Sequence, residues 1–103
     1  MRLDILKNLK KPKFSITYRP FPVECGGNVY GISCESNGQI RIIIDSNQDE
    51  RTQQHALRHE LAHIVLNHFD DQRSIEDIEA EAEAYADQMT DKEFTALMEG
   101  AML

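Results

Sequence analysis

Two histidines four residues apart, with a glutamate directly after the first, make His59-Glu60-Leu61-Ala62-His63 the part of this chain best suited to chemistry. On a helix, residues four apart stand one turn above each other on one face, so two imidazoles can reach a single ion. Zinc is held by neutral imidazole nitrogens at ~2.0–2.1 Å, takes one or two further ligands, and in a catalytic site keeps one position for water. Glu60 points about 100° around the helix from His59, which takes it out of the ligand set and leaves it beside that water. A carboxylate there can act as a general base, accepting a proton as water attacks a carbonyl and passing it to the leaving amine.

A third protein ligand must come from outside this pair. The longer H-E-x-x-H-x-x-G-x-x-H pattern would need glycine at position 66 and histidine at 69, where the chain has Leu66 and Phe69. His68 is therefore read as a helix C-terminal residue, favourable near the negative end of the dipole. His55, one turn before His59, extends the stripe but would strain the geometry as a third ligand, and is read as structural or exposed. The other source is the acidic segment 78–86, Ile-Glu-Ala-Glu-Ala-Glu-Ala-Tyr-Ala. Its apolar stripe runs through Ile75, Ile78, Ala82, Tyr85 and Met89, with Glu79 and Glu81 flanking it on opposite sides and Glu83 pointing further away. Periodicity narrows the choice to Glu79 and Glu81 and leaves it there.

The elements that must position these groups are legible in outline. Leu3, Leu6 and Leu9 suggest a short amphipathic helix ended by Pro12, and residues 14–18 alternate as a half-buried strand does. Val29 to Glu35 and Gln39 to Asp45 read as two strands of a hairpin turning at Asn37-Gly38. Ser46 with Asp49, or Asn47 with Glu50, caps a helix expected to run to about His68. Ser74 with Asp77 and Thr90 with Glu93 open two more, over about 75–89 and 91–99. The sum is one α+β domain over residues 1–103, an antiparallel sheet with the motif helix and an acidic helix packed on it.

Composition excludes several classes. The formal charge of −7 is distributed as +5 over residues 1–20, −3 over 21–69 and −9 over 70–103, which argues against direct nucleic-acid binding because phosphates require a basic face. No run approaches the ~18 apolar residues of a membrane span, and the N-terminus lacks a secretory signal, so a cytoplasmic location is expected. Cys25 and Cys34 are expected as reduced thiols.

A strand ending Ile-x-Ile-Asp, the helix with H-E-L-A-H-I-x-L-x-H and the downstream E-A-x-A-Y-A together resemble the ImmA/IrrE family of metallopeptidases over roughly residues 14–89. Ala62 stands where that family commonly has glycine, and Arg58 where a small residue is usual. The resemblance implies a zincin-like domain with one zinc per chain on His59, His63 and Glu81, and Glu60 as the catalytic glutamate. It also implies a protein substrate, a helix-turn-helix repressor of a prophage or mobile element. An extended substrate would lie along 29–35 or 39–45, and Tyr30 and Tyr85 are candidates to steady an oxyanion. The competing reading keeps the metal but makes the domain a regulatory binding module without proteolysis.

Overall fold

The computed structural model describes residues 13–22 and 29–101. The leucine-spaced segment before Pro12 and the stretch with Cys25 and Gly26-Gly27 lie outside the described residues. Strand β1 spans Lys13–Arg19, β2 Gly31–Ser36 and β3 Gln39–Asp45; helix α1 spans Glu50–Val65, α2 Ile75–Gln88 and α3 Asp91–Ala101, with a single 3-10 turn at His68–Asp70.

The hairpin forms as expected, with Asn37 at φ 54° and Gly38 at φ 77°, the paired positive angles of a tight two-residue turn. The sheet is mixed rather than antiparallel: in the order β1-β3-β2, β2 pairs antiparallel with β3 while β1 runs parallel to it. Arg19, which ends β1, and Gly31, which opens β2, both stand at the Asp45 end of β3, and the hairpin fixes only the β2–β3 direction, so β1 opposite to β2 comes to run parallel to the strand between them. Being central, β3 has both edges paired, and among the described residues the outer edge of β2, beside the motif helix, pairs with no other strand.

Ile42 and Ile44, fully buried, turn one face of β3 onto Ala56, Leu57 and Leu61 of α1, and Met89 closes the core. Phe14 and Ile16 from β1 and Phe94, Leu97 and Met98 from α3 pack around it. On α2 the expected stripe holds through Ala82, Tyr85 and Met89, but Ile75 falls outside it at 80% exposure.

Helix α1 starts later than the capping signatures suggest. Asp45 accepts from the Phe21 and Asn47 amides, each at 3.0 Å, and from Gln48 Nε2 at 3.0 Å. Those bonds commit residues 45–48 to a turn, and Asp49 becomes the cap, accepting from Thr52 N at 2.7 Å. The helix also ends earlier, at Val65, because Asn67 takes the left-handed conformation (φ 54°, ψ 51°) that asparagine tolerates at a helix end.

Gly31 lets α1 lie close on β2. A Cβ there would stand 3.0 Å from Ile44 Cδ1 and 3.4 Å from both Ala56 Cβ and Glu60 Cγ. Gly31→Val is therefore expected to cost about 1–3 kcal/mol through overpacking, read as a lower urea midpoint. An unchanged midpoint would mean that the helix does not press on this strand.

Candidate metal centre

Helices α1 and α2 cross with two i, i+4 ladders face to face: His63, His59 and His55 descend one while Glu79, Glu83 and Asp87 ascend the other. One carboxylate sits between the motif histidines, with Glu79 Oε1 3.0 Å from His59 Nε2 and Oε2 2.9 Å from His63 Nε2. Ligand-capable atoms of His59, His63 and Glu79 all lie within 4.8 Å of one another. Both rings are largely enclosed, with side-chain exposures of 16% and 10%.

Glu60 is buried beside this triad. Ser33 Oγ, from β2, donates to its Oε1 at 2.7 Å. Burial raises the Glu60 pKa above the usual carboxylate range, with the Ser33 hydrogen bond and the charge of His59 opposing and the charge of Glu79 adding to the rise. The carboxyl opens onto a cleft of about 380 Å³ whose walls include Gly31, Ile32, Ser33, His63 and Phe69.

Glu81, the position the resemblance implies, is engaged elsewhere. Its Oε1 lies 2.7 Å from His68 Nε2 and 2.9 Å from Arg73 Nη2, and its Oε2 accepts from Arg73 Nη1 at 3.2 Å. The Arg73 guanidinium, helped by His68, holds the Glu81 carboxyl down at about 2. Asp71, held at about 2 chiefly by the same guanidinium, anchors Arg73 from its other side. Glu83 does not point away: its Oε1 is 2.8 Å from His55 Nε2 and 3.6 Å from His59 Nδ1. His55 is exposed, as expected.

His68 is the residue whose place sequence periodicity misjudged. Had α1 continued, a residue five positions after His63 would point about 140° away from it. The left-handed Asn67 folds the chain back instead, and His68 Nδ1 comes to 2.9 Å from His63 Nδ1 with its side chain only 2% exposed. The legible signal was Asn67 itself, a residue suited to ending a helix.

The donor set fits a cation, and proton counting says why. Glu81–His68, His68–His63 and His63–Glu79 are three contacts that each need one proton between the heavy atoms. The carboxylates at both ends only accept, and two neutral imidazoles bring two protons. One contact is thus left with lone pair facing lone pair unless one of the two rings becomes an imidazolium or one of the carboxylates takes a proton. Burial, aided by the charges of His59 and His68, outweighs Glu79 and pushes the His63 pKa down, which disfavours the extra proton on that ring. A cation among His59, His63 and Glu79 would satisfy the His63–Glu79 contact with no added proton.

Of the oxyanion candidates, Tyr85 donates its hydroxyl to Glu93 Oε2, and both Tyr85 and Tyr30 pack against the core. Arg58 ties α1 to the third helix, donating to Met89 O and Asp91 Oδ1, each at 2.7 Å, and lying 4.6 Å over the Phe94 ring. Ala62 is fully buried. Cys34 is a free, exposed thiol.

Compared with known proteins, residues 10–102 match the peptidase family M78, described as the IrrE N-terminal-like domain. The chain belongs to this family. Membership indicates a peptidase and implies a metal, and an M78 domain of this small α+β form is compatible with a zincin-like fold. No curated protein and no solved structure matches the chain. No helix among the described residues is long and apolar enough to cross a membrane.

Proposed function

We propose that this M78 domain is a zinc-dependent metallo-endopeptidase, with His59, His63 and Glu79 holding one zinc ion per chain and Glu60 as the general base. The observation that carries the reading is the Glu79 carboxylate shared between the two motif histidines, with a separate buried carboxylate, Glu60, held beside them by Ser33. Bound zinc supplies Lewis-acid activation of water and of the scissile carbonyl. Glu60, kept from ionising easily by burial, accepts the proton of the attacking water and returns it to the leaving amine. Ser33 fixes the Glu60 rotamer, so the base needs no reorganisation on meeting substrate.

The substrate is an extended protein segment. Among the described residues β2 pairs only with β3, which leaves its outer edge to accept a peptide backbone in the manner of an added strand. Val29 and Ile32, 43% and 47% exposed, line the cleft with Phe69 and Ile78 and can receive an apolar side chain. The resemblance to ImmA/IrrE proteins makes a helix-turn-helix repressor of a mobile element the substrate of choice, in the cytoplasm. The net charge of −7 suits the basic surface of such a DNA-binding partner.

The test is incubation of the purified protein and zinc with a candidate repressor, following the intact repressor by mass spectrometry. Cleavage is expected, and a chelator should stop it. A repressor that binds tightly and stays whole with zinc present would favour the regulatory-module reading instead.

A further inference from the structure

We propose that His68, clamped by Glu81 and Arg73, is a positioning residue that fixes His63 in the tautomer carrying its proton on Nδ1 and its lone pair on Nε2. The inference rests on the metal reading for its purpose but not for its geometry. Glu81 meets the Arg73 guanidinium with both oxygens, so it stands as a carboxylate and can only accept. The contact of 2.7 Å from Glu81 Oε1 to His68 Nε2 therefore places a proton on that nitrogen. In a neutral His68 the remaining nitrogen, Nδ1, then offers a lone pair. It faces His63 Nδ1 at 2.9 Å, and the proton between them belongs to His63. His63 Nε2, the atom facing Glu79 at 2.9 Å, is left as the donor atom for a cation.

Each link is held by a different part of the chain. Arg73 and Asp71 come from the loop before α2, Glu81 from α2 itself, and His68 from the 3-10 turn that Asn67 makes possible. With 2% side-chain exposure, His68 has no water to compete for its ring nitrogens. A histidine ligand whose other nitrogen is fixed by such a partner is oriented and made a better donor, and loss of the partner typically costs ~10–100-fold in metal affinity. Glu81, placed among the ligands by resemblance, thereby acquires a different role, one step further out.

The experiment reads ring nitrogen shifts by long-range ¹H–¹⁵N correlation on the wild type, metal-free and zinc-loaded, and zinc affinity by chelator competition on two variants. Expected is a neutral His68 protonated at Nε2 and a proton on His63 Nδ1 in both forms, with His63 Nε2 bare once zinc is bound. His68→Phe, which cannot accept, should lose ~10–100-fold in zinc affinity. His68→Asn, whose Oδ1 can accept the same proton, should recover most of that loss. A His68 protonated at Nδ1 overturns the proposal, as does equal zinc affinity in His68→Phe and His68→Asn. A protein that shows the expected tautomers yet takes up no zinc supports the clamp while overturning the metal reading.

Discussion

Glu60→Gln is expected to leave the fold and zinc affinity intact while slowing cleavage of a protein substrate by ~10²–10⁴-fold, toward the upper end. The amide has the size of the carboxyl, and its Oε1 can still accept from Ser33 Oγ, which now donates across 2.7 Å. The close packing of Gly31 on Glu60 Cγ is equally preserved, since the aliphatic stem does not change. What disappears is the capacity to take a proton and give it back. Because Glu60 does not belong to the His59–His63–Glu79 triad, binding and chemistry should separate in this one substitution. The check is a time course of intact repressor beside a zinc titration of the same preparation. Cleavage at the wild-type rate would remove Glu60 from the mechanism, and loss of zinc with loss of activity would make it a ligand.

The parts of the fold governed by local rules could be read from sequence. The Asn37-Gly38 turn, the Ser74 and Thr90 caps and the two later helices follow from short-range chemistry, with Ser74 Oγ accepting from Asp77 N and Thr90 Oγ1 from Glu93 N. The direction of β1 did not follow, because pairing across a long connection is decided by the core that Phe14 and Ile16 enter and not by the strand's own pattern. Within the site, the pair His59 and His63 and the separate station of Glu60 follow from helix geometry alone. The third carboxylate does not. Glu79 and Glu81 flank the same apolar stripe, and which one meets α1 depends on how two helices are rotated against each other, a tertiary quantity. His68 escaped for the opposite reason: one backbone conformation, at Asn67, reversed the direction that periodicity assigns to it.

Removing Glu79 should therefore damage zinc binding more than removing Glu81, and this comparison sets the geometry of the site against the resemblance. Glu79→Ala deletes the carboxylate that meets both histidine Nε2 atoms, at 3.0 and 2.9 Å, and leaves two imidazoles where zinc wants at least three protein ligands. Glu81→Ala leaves those three donors in place and strips the acceptor from His68, an effect of the ~10–100-fold size usual for an outer partner. The expected order of zinc affinity is wild type, then Glu81→Ala, then Glu79→Ala, with stoichiometric binding gone in the last. His59→Ala and His63→Ala should fall with Glu79→Ala, since each also removes one donor of three. Chelator competition on the four variants ranks them, and circular dichroism confirms that each is folded. Should Glu81→Ala prove the weakest binder and Glu79→Ala retain zinc, helix α2 would have to be turned so that Arg73 releases Glu81 toward the histidines. The carboxylate now shared by His59 and His63 would then be a stand-in for the true ligand.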